Sequence, residues 1–221
     1  MRNLADTEWT TLWVSACDEN NKADLAASFI DHHVPGGMLI GAEDTSVIPD
    51  HPAIQRCSLA PSSLYGRLMR AKRRPELGFA RMVATLEHVL EQRAELVVWL
   101  DPSCRFTSAP TATELLVCFG TKAVFYLGDS HNRVDPVVFG MHSWRDGLEL
   151  ATTLVECGRR SLLNTDTYRD ASHCLQTLLR DRRGGRHNLS KTGSDDSQLL
   201  ESSQLSKFLT RVPSRKGRSA A

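Results

Sequence analysis

The chain is predicted to be a single-domain α/β protein with a mixed sheet flanked by helices, and three observations carry that expectation. Its 221 residues, 41% hydrophobic and 24% charged, suffice for one sizeable core and leave a second complete domain cramped. Apolar runs of strand length alternate with stretches of helical period along most of its length. One such run, Leu96-Val97-Val98-Trp99-Leu100, stops at Asp101-Pro102-Ser103, so that a carboxylate stands at a strand's C-terminal end. Ligands of open α/β sheets sit in the crevice beyond those ends, which places such an acid to meet a ligand. The same residues also read as an Asp that starts the turn at Pro102.

The first strand is expected over Thr11–Ala16, followed by the polar loop 17–21 and a helix over 23–33 that an Asn or Asp side chain caps. Gly36-Gly37 turns the chain into a short strand over 38–42, which ends in Glu43-Asp44. This β-α-β opening with polar strand ends suits a nucleotide-binding half-sheet, although the G-x-G-x-x-G dinucleotide fingerprint is absent. Residues 47–63 hold Pro49, Pro52 and Pro61 and read as a loop with short turns. Five of the eight residues 67–74 are basic, a solvated helix face or a phosphate patch. Phe79, Met82, Val83, Leu86, Val89 and Leu90 then mark the helix that leads to the Asp101 strand.

Beyond Asp101, a helix or turn is expected over 112–116 and a strand over 123–127 that ends at Gly128-Asp129. The polar loop 130–136 carries Asp135 to the start of a strand over 137–141, and helical periods cover 144–160 and 168–179. Residues 1–180 thus form the folded unit, and 181–221 stand apart as a basic, Gly/Ser-rich segment, a lid or a mobile tail.

Lys and Arg total 27 against 26 Asp and Glu, a net charge of +1, so no global field recruits nucleic acid or a membrane surface. No stretch approaches the roughly 20 apolar residues of a membrane span, and residues 1–11 lack a secretory apolar core, so a cytoplasmic protein is expected. The six cysteines form no C-x-x-C pair and read as reduced, buried thiols. The eight histidines show no metal-ligand spacing, and no G-x-S-x-G elbow supports a hydrolase triad.

Taken in order, these segments resemble a small glycosyltransferase of the GT-A fold, of the compact phage and bacterial kind. Residues 12–18 look like its first nucleotide-binding strand, and 29–44 like the helix end and second strand that close on an acidic pair. Residues 97–103 are similar to the strand bearing the W-L-D-A-D metal motif, and 128–140 to a glycine turn followed by an acid and G-F-x-G-F. Tyr168-Arg169-Asp170 looks like a late W-x-D element, Asn188-Leu189-Ser190 like an N-L-S piece, and 203–216 like a tail S-x-L-x-x-[YF]-x-x-H-x-K-G-x-R-K. Order and spacing carry the likeness, since each piece is short.

The resemblance implies a Rossmann-like nucleotide-sugar fold, a nucleoside-diphosphate-sugar donor and transfer of a glycosyl group to an acceptor hydroxyl. It implies donor-binding roles for Asp18, Asp44, Arg81, Asp101, Ser103, Arg211 and Lys216, and acceptor-side roles for Asp135 and Asp170. Such enzymes commonly neutralise the departing diphosphate with Mn or Mg held by the D-x-D carboxylates and a late histidine. Here the degenerate motif reads Asp101-Pro102-Ser103 and the histidine position is Arg211, which leaves Asp101 as the sole metal-ligand candidate. Arg211, Arg215 and Lys216 would then serve as fixed cations, because guanidinium groups bind phosphate oxygens bidentately. Asp135 stands where the family has glutamate, and Pro136-Val137-Val138 where it has G-F.

Two other classes fit the same residues. The lost carboxylate and histidine suit a non-catalytic relative that binds a nucleotide, a glycan or a partner protein. Basic patches over 67–74, 180–191 and 207–218 suit a nucleic-acid-binding module, whose affinity would fall steeply with salt. A glycan, a modified DNA base and a protein all remain open as acceptor.

Overall fold

Apolar strands that bury both faces call for helices on both sides of the sheet, and the chain is arranged that way. The computed structural model describes residues 11–17, 24–60, 63–71, 75–92, 94–120, 122–129, 133–143, 147–162, 170–181, 185–190 and 199–212. Strands β1 (Thr11–Ala16), β2 (Gly37–Ala42) and β3 (Ile54–Ser58) are parallel, and β4 (Leu96–Leu100) pairs with β1 on its other side. Next to β4 lies antiparallel β7 (Val134–His142), then β6 (Val124–Gly128) and the short parallel strand β8 (Arg186–Asn188). The sheet order is β3-β2-β1-β4-β7-β6-β8, a mixed α/β sheet as expected. The chain turns back between β1 and β4, and that switch point is where such sheets open a crevice.

Side-chain alternation sorts the strands between two cores. Leu12, Val14, Leu39, Val97 and Trp99 face the side covered by α2 (Leu64–Arg70), α3 (Leu77–Val89), α5 (Leu148–Leu162) and α6 (Ala171–Asp181). Trp13, Met38, Ile40, Val98 and Leu100 face the other side, with α1 (Asp24–Asp31), α4 (Ala112–Phe119) and α7 (Leu199–Ser202). There Trp13 meets Phe106 edge-on at 5.1 Å and Phe119 stacks on Phe125 at 4.2 Å. Gly36 makes the turn into β2 at φ 100°, and a Cβ there would come within 2.3 Å of the Thr11 carbonyl oxygen.

The structure departs from the sequence expectation in four places. Residues 47–63 contain β3, an edge strand in which Ile54 and Cys57 are buried while Gln55, Arg56 and Ser58 are more exposed; the prolines flank it and leave its ladder intact. Strand β7 begins at Val134 and includes Asp135 and Pro136, because its register against β6 jumps between Tyr126 and Leu127. That bulge is what admits a proline into an inner strand. A second, two-stranded sheet joins β5 (Cys104–Phe106) to β9 (Leu209–Arg211). Within the basic C-terminal segment, residues 199–212 are anchored by buried Leu199, Leu200, Leu205, Phe208 and Leu209.

Candidate functional site

Asp101 follows the last residue of β4, at the C-terminal side of the switch point, where its backbone N–H donates to the Val137 carbonyl at 2.8 Å. Buried Ser15 on β1 donates to the Leu100 carbonyl at 2.7 Å and fixes the strand end beneath it. Pro102 then turns the chain, and Cys104 N–H returns to the Asp101 carbonyl at 2.9 Å. The Asp101 Oδ1 accepts from both the Ser103 N–H, at 2.8 Å, and the Ser103 hydroxyl, at 2.5 Å. Asp101 therefore does start the turn, and one of its oxygens is committed to Ser103. Its Oδ2 has no hydrogen-bond partner among the described residues.

The second sheet brings Arg211 to this turn. Arg211 on β9 pairs with Cys104 on β5, and the Val212 N–H donates to the Ser103 carbonyl at 2.9 Å. The Arg211 guanidinium, about half-exposed, lies 3.8 Å from Asp135 Oδ2. Asp135, largely buried at the start of β7, accepts from the Val137 N–H at 3.0 Å through its other oxygen. Burial raises the Asp135 carboxyl above the usual carboxylate range, with Asp101 and Glu201 adding repulsion and the Val137 N–H and Arg211 opposing it. Asp101, Ser103, Asp135 and Arg211 thus form one constellation at one end of the sheet.

A second cluster stands at the C-terminal end of β2. Arg81 is buried in α3 and donates to Glu43 Oε1 at 2.8 Å, and the Tyr65 hydroxyl donates to the same oxygen at 2.6 Å. The Arg81 Nε is buried with no hydrogen-bond partner among the described residues. The helix turns Arg81 inward toward an acid. The Tyr65 hydrogen bond first, and Arg81 second, hold the Glu43 carboxyl below its ordinary range, while burial pushes the Tyr65 hydroxyl up to about 12. Glu43, not Asp44, is the member of the acidic pair that meets Arg81. Asp44 is exposed and caps the short turn Thr45–Val47 by accepting from the Ser46 N–H at 2.9 Å.

Asp170 lies apart from Asp101 in its contacts. It is exposed, and its Oδ1 accepts from the His173 N–H at 2.7 Å, the bond of a helix cap at the start of α6. The next turn still borders the site, because the Ser172 hydroxyl donates to the carbonyl of Val134, next to Asp135. Asn188 holds the end of β6 by accepting from the Gly128 N–H at 3.0 Å and donating to the Gly128 carbonyl at 2.9 Å. Asp18, Lys216, Arg215 and Tyr168-Arg169 lie outside the described residues.

Whether a divalent cation fits is decided by the donor set. Such ions want several hard oxygens. The Asp101 Oδ1 is held by Ser103 and the Asp135 Oδ2 faces a guanidinium, whose positive charge opposes a second cation. Among the described residues no group of three or more His, Cys, Asp or Glu side chains could hold a metal ion. The described residues do not by themselves make up a carboxylate site for Mn or Mg.

Reading single residues missed Glu43 and Tyr65 as the partners of Arg81, and Arg105, which braces the Asp101 turn. Adjacent acids give no sign of which one faces inward, and an arginine inside a short strand looks like any exposed charge. Among the described residues, no helix is long and apolar enough to cross a membrane.

No family model matches the chain, and no curated protein matches it. It is similar to the crystal structure of the glycosyltransferase GlyE in Streptococcus pneumoniae TIGR4, at 14% identity and a TM-score of 0.47. That likeness covers 85% of this chain and 45% of the other, so the chain spans under half of that structure's length. At that level it bears on neither the substrate nor the residues of this chain.

Proposed function

We propose that the chain is a glycosyltransferase of GT-A-like architecture that moves a sugar from a nucleotide-sugar donor to an acceptor hydroxyl. The observation that carries the reading is the convergence of Asp101, Asp135 and Arg211 beyond the C-terminal strand ends at the switch point. Arg211 supplies the charge that the departing diphosphate needs, because a guanidinium fork matches phosphate oxygens and stabilises negative charge as it develops. Donor binding then depends little or not at all on a divalent cation.

Asp135 is the proton acceptor. Burial makes its carboxylate more basic than usual, and it borders the guanidinium rather than being locked by a short ion pair. The acceptor oxygen forms a bond to the anomeric carbon as that carbon's bond to the diphosphate oxygen breaks. The electron pair leaves with the diphosphate, and the hydroxyl proton passes to Asp135. The Asp101 Oδ2, open among the described residues, is a hydrogen-bond acceptor for a donor hydroxyl. Asp170, whose Oδ1 caps α6, is assigned to the acceptor by resemblance alone. Asp18 and Lys216 are assigned to the donor by resemblance alone.

A second reading has its own support. The Ser103 hydroxyl and N–H commit one oxygen of Asp101 to the turn, and this favours a protein that binds a nucleotide without turning it over. Incubation with a panel of nucleotide sugars and mixed glycan, DNA and protein acceptors separates the two. Release of nucleoside diphosphate with sugar-labelled acceptor supports transfer. Donor binding with no release and no product supports the binder.

A further inference from the structure

The Arg105 side chain is 12% exposed, and its guanidinium reaches three acceptors on two segments. Nη1 donates to the Pro102 carbonyl at 2.7 Å and to the Cys104 carbonyl at 2.6 Å, and Nη2 donates to Asp24 Oδ2 at 2.8 Å. A guanidinium Nη carries two hydrogens, so both hydrogens of Nη1 serve the turn.

The Pro102 carbonyl and the Ser103 N–H belong to one planar peptide. Arg105 takes the oxygen side of that plane, and the Asp101 Oδ1 takes its N–H side at 2.8 Å. Rotating the peptide would break both bonds together, so the orientation of the Asp101 carboxylate is tied to Arg105 without any contact between the two side chains. The same strand is fastened to α1 a second time, where Phe106 N–H donates to Ser28 Oγ at 3.0 Å. Asp24, in the first turn of α1, is the outer anchor.

We propose that Arg105 is a positioning residue: it clamps the Pro102-Ser103 peptide and thereby aims the free oxygen of Asp101 into the crevice. The clamp stands on the hydrogen bonds alone; its consequence for the donor rests on the transferase reading. Lysine cannot replace it, because a single ammonium lacks the planar fork that spans two carbonyls and a carboxylate.

The test reads the turn and the ligand separately in Arg105→Lys. By amide hydrogen exchange in the full chain, Ser103 is expected to exchange about tenfold faster than in the parent, and the Asp101 carboxyl carbon resonance is expected to move. The amides of β1 and β2 should keep their protection, which a general loss of fold would not allow. Nucleoside diphosphate affinity, read by calorimetry with UDP, GDP, CDP, ADP and dTDP, should fall about tenfold, and in an Asp101→Ala background the same substitution should cost nothing further. If Arg105→Lys does not fold, Asp24→Ala removes only the outer anchor and should produce the same changes in smaller degree. Unchanged Ser103 exchange together with an unmoved Asp101 resonance overturns the clamp. A parent protein that binds none of the five nucleotides overturns the transferase reading instead, and the exchange data still decide Arg105.

Discussion

The Arg211 guanidinium lies 3.8 Å from the Asp135 carboxylate, although the two residues come from β9 and β7 in different sheets. That approach places one cation and one basic carboxylate beside the turn that carries Asp101. The pair offset one another; on the proposed transferase reading, a diphosphate would compete for the guanidinium and leave Asp135 unpaired.

Removing that cation should be felt by phosphate and by little else. Arg211→Ala is expected to weaken nucleoside diphosphate binding about tenfold or more, as loss of a charge-assisted pair does. Arg159→Ala, which removes a surface cation paired with Glu87 on the α3–α5 face, should leave binding unchanged. Calorimetry on both variants checks this; equal losses would mean general electrostatics and not a phosphate contact.

Asp135→Asn should abolish transfer and yet stabilise the fold near neutral pH. A carboxyl whose folded pKa is raised favours the native state below its unfolded pKa and loses that contribution as the pH rises through the folded value. The charged, desolvated carboxylate is therefore a liability at pH 7, only partly offset by a half-exposed arginine at 3.8 Å. Thermal unfolding should show a Tm gain of about 2 °C at pH 7, vanishing at pH values where Asp135 is protonated. A lower Tm at pH 7 would contradict the assignment of burial as the dominant cause.

Tyr65→Phe tests the Glu43 cluster with the opposite sign. The Glu43 carboxyl is held below its ordinary value, so its contribution is present above that value and is lost as the pH falls through the folded one. Its carboxylate is about half-exposed, so solvent screens the effect. Urea unfolding should show a loss of about 1 kcal/mol at pH 7, narrowing at pH 3. A loss that is the same at both values would assign it to packing.

The cysteines should be silent in the native protein. All six are buried thiols outside any disulfide, and burial pushes the Cys57 thiol up to about 12 and the Cys118 thiol up to about 11. An aromatic disulfide reagent at pH 8 should react about a hundredfold more slowly with native than with unfolded protein. A thiol that titrates at once in the native state would contradict the burial.

What the sequence made legible, and what it hid, follows from how each element is stabilised. β1, β2 and β4 are buried on both faces, so each is mostly apolar, with Thr11 and Ser15 the polar residues of β1, and the Asp101 strand end could be read directly. β5, β8 and β9 have three residues each and exist only through their partners, so nothing local announces them. Pro136 argued for a loop where a bulge lets β7 begin early. The site suffered in the same way. Arg211 reaches Asp135 because β9 pairs with β5, a contact across 107 positions that no spacing rule anticipates, as the Cys104 and Arg211 register shows. Asp44 and Asp170 carry the acid type a site would use, but each is committed to capping a short turn or a helix.

Calorimetry of the full chain against a panel of nucleotide sugars, run once with Mn and once with chelator, is the most direct test of Arg211 as the proposed counter-charge beside the Asp101 turn. Binding of one donor with affinity equal within about threefold in the two conditions is the expected result. Binding seen only with Mn, or no binding of any donor in either condition, would contradict it.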